Sequence, residues 1–269
     1  FLSGRKNIID PFNGQEDLKN KTLRVLQGPI FQSDPIRILR AFRFAATLGF
    51  EIEAETLKKI VLHKNLLMEP AQERIWHELS TFFKTTGTMP LLETMHHCGV
   101  LECLIPISES IQVQTFSHYQ KLENLLKEPE KTFPDYLEAF NSDDFVNNQY
   151  LFKLSLLLNR RHENQPTDTP ISQVSNLRAS NAEVKVIDQT LKGARCLAES
   201  YSKNGPDLSP PEMYELIQII QEGLLASVAL FAAENPSDDV IQFCNHLLKF
   251  YYHQFFPGVN EKPFLNGDN

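Results

Sequence analysis

The stretch Asp34-Pro35-Ile36-Arg37-Ile38-Leu39-Arg40-Ala41-Phe42-Arg43-Phe44-Ala45-Ala46-Thr47-Leu48-Gly49-Phe50 decides the fold. Asp34 carries an N-cap side chain, and Pro35 fits the first helical position, where a missing N–H costs nothing. Gly49 fits the left-handed residue just past the last turn. Between them Ile38, Phe42, Ala45 and, a turn on, Leu48 recur at the helical period, an apolar stripe that needs a partner helix. Outward from this segment the same signature predicts helices over 53–63, 70–84 (Ile75, Leu79, Phe82 and Phe83 inward) and 91–98, ended by Gly99. A looser pattern continues over 116–127, 134–140, 149–159, 181–200, 211–222, 222–235 and 237–255. β signal is confined to Asn7-Ile8-Ile9-Asp10, the turn Pro11-Phe12-Asn13-Gly14 and the run Thr22-Leu23-Arg24-Val25-Leu26. The expected fold class is all-α, an elongated helical array behind a small β remnant. The polar stretches 160–170 and 203–211 read as internal boundaries, and no fixed-period repeat occurs.

With 269 residues, 42% of them hydrophobic, the chain can bury two modest cores, and 11 Gly and 16 Pro exclude collagen-like and low-complexity classes. No basic-then-apolar leader opens the chain, and no apolar run approaches the roughly 18 residues that span a bilayer. The expectation is a soluble, cytoplasmic protein with no membrane partner. Cys98, Cys103, Cys196 and Cys244 are too scattered for a disulfide framework or a zinc site and read as reduced, mostly buried small hydrophobes. Lys+Arg number 26 against 34 Asp+Glu, a net charge of −8, which argues against a surface wholly wrapped in nucleic acid but leaves room for a local basic face. The chain opens on Phe1-Leu2 without Met and stops just after Pro263-Phe264-Leu265-Asn266-Gly267, so it is expected to be a fragment of a longer polypeptide.

Arg37, Arg40 and Arg43 recur every three positions and so form a basic ridge beside the apolar stripe, with Asp34 one turn before Arg37. A carboxylate accepts hydrogen bonds and a guanidinium donates several in a planar fork, so such a pair can meet the edge of a nucleobase. The plainer reading is that Asp34 caps the helix and pairs with Arg37, and spacing alone favours it. Three arginines in seven residues are harder to explain as a solvated face, which would more often use Lys and Glu.

Three segments together resemble the class II tRNA nucleotidyltransferases (CCA-adding enzymes) and bacterial poly(A) polymerases. They are Ile9-Asp10-Pro11-Phe12-Asn13-Gly14-Gln15-Glu16-Asp17-Leu18 leading to Leu23-Arg24, the Asp34 to Phe50 stretch, and Glu73-Arg74-Ile75 with Glu78-Leu79. The likeness covers residues 7–80 and thins beyond, with weaker echoes at 95–104 and 177–184. It implies a head, neck, body and tail enzyme that adds CMP and AMP from CTP and ATP to a tRNA or RNA 3′ end without a nucleic-acid template. The implied layout is a remnant of the head over 1–30, a neck over 31–88, a body over 89–200 and a truncated tail over 201–269. In the family, Mg²⁺ is held by paired carboxylates of the head, upstream of the Asp10 segment. The resemblance therefore implies that the catalytic residues lie in a missing N-terminal head, that this chain holds no metal, and that it is inactive alone. Asp143-Asp144 and Asp238-Asp239 read as helix-start charges rather than as that pair.

Carried over by the resemblance, Asp34 and Arg37 are the template that reads the incoming base. Arg40 and Arg43 face the triphosphate or the RNA backbone, and Glu73 and Arg74 are a buried or half-buried support for the template helix. Asp10, Gly14, Asp17 and Arg24 belong to the head–neck connection. Ser33 stands where the family usually has an acidic residue, which bears on the balance between CTP and ATP. Some relatives carry a phosphohydrolase His-Asp pair after an apolar helix; here Leu154-Ser155-Leu156-Leu157-Leu158 is followed by Asn159-Arg160, which cannot bind a divalent ion. His96, His97, His118 and His162 have no partners at ligand spacing. The scattered Arg160-Arg161, Arg178, Lys185 and Arg195 do not define a phosphate track, and Phe250-Tyr251-Tyr252 with Phe255-Phe256 reads as packing rather than base stacking. Two alternatives remain: a poly(A) polymerase or A-adding enzyme, and a non-catalytic helical RNA-binding module.

Overall fold

A computed structural model of the chain describes residues 9–105, 113–159 and 170–255. It forms two compact units, Phe1–Ser110 and Ile111–Asn269. Asn7-Ile8, the polar loop with Arg160-Arg161 and His162, Phe256 and the segment 263–267 lie outside the described residues.

In the first unit, α1 (Gly14–Lys19) starts where Asn13 takes a left-handed φ of 58°. The Asp10 carboxylate accepts the Gly14 and Gln15 backbone N–H groups at 2.7 and 2.8 Å. These bonds hold its carboxyl below the usual range. The expected strand over 22–26 contracts to β1 (Thr22–Leu23), which pairs in parallel with β2 (Glu51–Ile52), Thr22 opposite Glu51. The ladder stops because the Val25 N–H donates to Thr56 Oγ1 at 3.0 Å instead of to a strand. Ile9 and Asp10 form no strand.

A short α2 (Ile30–Ser33) precedes α3 (Arg37–Leu48), whose end is the left-handed Gly49, φ 65°. Asp34 is not the side-chain cap that the sequence suggests. Lying before a proline it is extended, φ −157°, ψ 90°, and its backbone carbonyl, not its carboxylate, accepts the Arg37 N–H at 3.1 Å. Ile38, Leu39, Phe42 and Ala45 are buried, whereas Leu48 is 52% exposed and lies off the expected stripe. The buried face packs on α5 (Gln72–Lys84), which contributes Ile75, Leu79, Phe82 and Phe83 as expected. Between them run α4 (Ala54–His63) and a 3₁₀ turn, Lys64–Met68. After α5 come α6 (Met89–His97) and α7 (Val100–Leu104), separated by Gly99 at φ 67°.

The second unit is helical throughout its described residues: α8 (Val113–Lys127), α9 (Leu137–Phe140), α10 (Asp143–Leu158), α11 (Pro170–Asn176), α12 (Asn181–Asn204), α13 (Pro210–Ile220), α14 (Leu224–Glu234) and α15 (Asp238–Phe250), closed by a π turn, Tyr251–Phe255. Helix α10 starts six residues before the expected position because Ser142 caps it, accepting the Phe145 N–H at 3.4 Å. From Tyr150 to Leu158 every residue is buried, as in a helix surrounded by others. Capping boxes at Ser180/Glu183 and Ser209/Glu212 start α12 and α13. Asp143-Asp144 and Asp238-Asp239 occupy first turns, as the sequence suggests.

One segment, Pro210–Glu234, does reach a membrane-spanning length, with a mean hydropathy of 1.7 over its most apolar window, 72% of which is buried within the unit. It is two helices, broken at Gln221 with a φ of 54°. Helices α12 and α14 approach closely at Gly193, where a Cβ would lie 2.1 Å from Ser227 Oγ. All four cysteines are free, Cys98 and Cys244 buried and Cys103 and Cys196 half-buried.

Candidate functional site

The N-terminus of α3, α2, the segment after β1 and Thr56 enclose a cleft of 420 Å³. Arg24, Asp34, Arg37 and Arg40 line it, with Phe31 and Phe44 among its apolar walls. Three guanidiniums and one carboxylate in a half-open space suit an anionic ligand that also offers a hydrogen-bonding edge.

Asp34 is bonded from across the helix pair. Arg74 Nη2 donates to Oδ1 at 3.0 Å and to Oδ2 at 3.3 Å, while Arg37 Nε stands 3.6 Å from Oδ2. The Asp34 side chain is 25% exposed, Arg37 49% and Arg74 53%. Glu73 and Arg74 are thus exposed rather than buried or half-buried. They occupy the solvent side of the first turn of α5, and Arg74 reaches Asp34 over the surface.

Arg40 extends the ridge with no salt bridge among the described residues, its guanidinium carbon 5.6 Å from the Phe44 ring centre. Arg43 leaves the ridge and does not line the cleft. Its Nε donates to Glu78 Oε2 at 2.5 Å, with side chains 17% and 10% exposed, and its guanidinium lies 4.0 Å from the Phe44 ring centre. A step of three residues rotates the ridge steadily around the helix, so by Arg43 it has turned towards α5. Phe44, which both arginines approach, was not singled out in the sequence, although its place four residues after Arg40 was the available signal.

Arg24 donates to both Asp17 oxygens at 3.2 Å and to Glu53 Oε1 at 2.5 Å, joining α1, the residue after β1 and the start of α4. These carboxylates, Asp17 foremost, raise its pKa further. Asp10 and Gly14 serve the start of α1 and do not line the cleft.

Among the described residues no group of three or more His, Cys, Asp or Glu side chains is placed to hold a metal. His96 Nδ1 pairs with Glu102 Oε1. Asn159, at the end of α10, donates to both oxygens of Glu234 at 2.8 and 2.9 Å. Burial pushes that carboxyl up to about 7, against the downward pull of Asn159. The second unit holds a larger cavity of 1020 Å³. Four carboxylates, Asp135, Glu138, Asp144 and Glu222, line it, and Lys185 on its wall is already bonded to Glu222 at 3.2 Å, so it does not suit a phosphate. Tyr252 stacks on Tyr136 at 5.7 Å and Tyr251 on Phe255 at 5.9 Å, so these aromatic rings pack within the unit.

A model of the family described as "Probable RNA and SrmB-binding site of polymerase A" matches residues 49–111. The multifunctional CCA protein of Neisseria gonorrhoeae (strain NCCP11945) is 42% identical over 101 residues, 37% of this chain and 24% of that protein. The CCA-adding enzyme of Buchnera aphidicola subsp. Baizongia pistaciae is 32% identical over 156 residues, 54% of this chain and 36% of that protein. The chain thus spans about a quarter to a third of the length of these relatives. Among solved structures, the Thermotoga maritima CCA-adding enzyme complexed with tRNA aligns over 89% of this chain and 53% of its own, with a TM-score of 0.64 at 21% identity. Complexes of a CCA-adding enzyme with CTP and with ATP give 0.65 and 0.63 at 22% identity, each over 91% of this chain and 54% of the other. Through the matched spans the sequence is similar to that of tRNA nucleotidyltransferases, and over nearly its whole length the chain has the fold of the CCA-adding enzymes.

Proposed function

We propose that this chain is the nucleotide-selecting and RNA-binding portion of a template-independent nucleotidyltransferase that adds CMP and AMP to tRNA 3′ ends. The observation that carries the reading is the shared cleft wall on which Asp34 and Arg37 stand, both half-open, with Arg24 and Arg40 beside them.

Cytosine and adenine each present an exocyclic amine next to a ring-nitrogen acceptor, whereas uracil and guanine present a carbonyl next to a ring N–H. A carboxylate beside a guanidinium complements the first pair and opposes the second. Asp34 accepts from the amine, Arg37 donates to the acceptor, and a base of the wrong polarity leaves both unsatisfied. Arg40 meets the phosphates as a charge-assisted donor. Arg43 acts at one remove, pinning α3 to α5 through Glu78. Arg24, held by Asp17 and Glu53, fixes the approach of the N-terminal segment to the neck. In this reading selection and grip are the work of this chain, and the divalent ion that the phosphoryl step requires is held by a head module.

The complete enzyme, supplied with labelled CTP and ATP and a tRNA lacking its terminal nucleotides, tests the reading. CTP incorporation followed by ATP supports it; ATP alone points to an A-adding enzyme, and neither points to a binding module. Arg37→Ala is expected to blur the choice of base by about tenfold, the worth of one good base-edge contact, with tRNA affinity nearly unchanged. An equal loss of tRNA binding would count against the role.

A further inference from the structure

Arg37 and Asp34 are three residues apart, a spacing at which an Asp–Arg pair closes readily. Here it has not closed: Arg37 Nε lies 3.6 Å from Oδ2, beyond hydrogen-bond reach, while one nitrogen of Arg74 engages both Asp34 oxygens at 3.0 and 3.3 Å.

We infer that Arg74 is a positioning residue that keeps the two base-reading side chains from closing on each other. The inference rests on the proposed reading of Asp34 and Arg37 as base readers. A carboxylate has about four lone-pair sites. Arg74 occupies two of them from the α5 side, so sites remain for a base amine and the Arg37 fork keeps its donors. Without Arg74 the nearest strong donor to Asp34 is Arg37 itself. The two would then form a bidentate pair that an incoming base must break before it is read. The reach of Arg74 is set by the helix pair, since four residues further along α5 Glu78 holds Arg43 at 2.5 Å. Two contacts from one face of α5 thus hold α3 at Arg43 and the residue that leads into it at Asp34. Arg74 is exposed, so its replacement leaves no buried hole, and the fold tolerates the test.

The test has a structural arm and a kinetic arm. In this chain, the side-chain Nε–Hε signal of Arg37 is followed by NMR in the parent sequence, in Arg74→Met, in Arg74→Lys and in Asp34→Asn/Arg74→Met. Arg74→Met is expected to move the Arg37 signal and slow its exchange with water severalfold. Arg74→Lys should fall between, and the double substitution should cancel the change. In the complete enzyme, Arg74→Met is expected to lower discrimination of CTP and ATP against UTP and GTP by about tenfold through KM, at unchanged tRNA affinity. An unmoved Arg37 signal in Arg74→Met overturns the inference. So does nucleotide choice that survives Arg74→Met but is lost in Asp34→Asn. Choice that survives Asp34→Asn itself overturns the base-reading proposal instead, so the two failures are distinguishable.

Discussion

Glu234 closes α14 with its carboxylate turned inward, and its protonation ties the stability of the second unit to pH in a direction that can be worked out. Released from the fold, the group gives up its proton near the ordinary 4.5; in the fold, burial holds the proton until about 7, although Asn159 donates to both oxygens. Between those values the native state retains a proton that the unfolded chain has lost, so stability falls as pH rises through the window. The fall amounts to about 1.4 kcal/mol per unit, or roughly 3 kcal/mol in all above pH 7. Glu234→Gln keeps an acceptor for Asn159 and removes the titration. Urea unfolding followed by circular dichroism at pH 5, 6, 7 and 8 should show the substituted chain gaining on the parent by about 2–3 kcal/mol from the lowest to the highest pH, because other carboxylates cancel in the difference. Equal pH slopes for the two chains, or a constant deficit of the substituted one, would refute the argument.

Other outcomes are equally specific. Lys153 Nζ and Glu123 Oε1 lie 2.8 Å apart with both side chains 4% exposed, so Lys153→Met, which takes the cation away from a buried carboxylate, should cost about 3–5 kcal/mol in denaturant unfolding. Lys153→Met/Glu123→Leu should recover most of that loss. Gly193→Ala should lower stability by about 1–3 kcal/mol, read as a drop in the melting temperature, because the new methyl meets Ser227 in a contact between α12 and α14 that cannot widen freely. The chain by itself, given Mg²⁺, CTP, ATP and an acceptor tRNA, is expected to incorporate no label; turnover by the purified chain would show that the reacting carboxylates lie within it.

Several helix ends were legible from local chemistry, although the Ser142 cap that starts α10 was missed. Gly49 and Gly99 past their helix ends and the four inward residues of α5 all lie where the sequence puts them. What escaped around the candidate site was non-local. Arg43 reads as one more surface arginine until Glu78, thirty-five residues on, is brought beside it. Two-residue strands are too short to leave an alternation, and β2 follows α3 without one. Asp34 has every attribute of a cap, but with its own carbonyl serving the Arg37 N–H its carboxylate was left for Arg74, forty residues away. Of the residues singled out in the sequence, Arg24, Asp34, Arg37 and Arg40 share one cleft, while Arg43 and Arg74 went to long-range partners that no local pattern reveals.

The break at Gln221 also bears on how the chain is made. A ribosome delivers Pro210–Glu234 as a 25-residue segment with a strongly apolar stretch inside it, the sort that sticks to chaperones or to other nascent chains. Three of the helices that α14 packs against, α8, α10 and α12, have already been synthesised by then, and α15 alone follows. The break at Gln221 frees α14 from the direction of α13, so it can settle onto surfaces that are waiting for it and the hazardous stretch spends little time uncovered during translation.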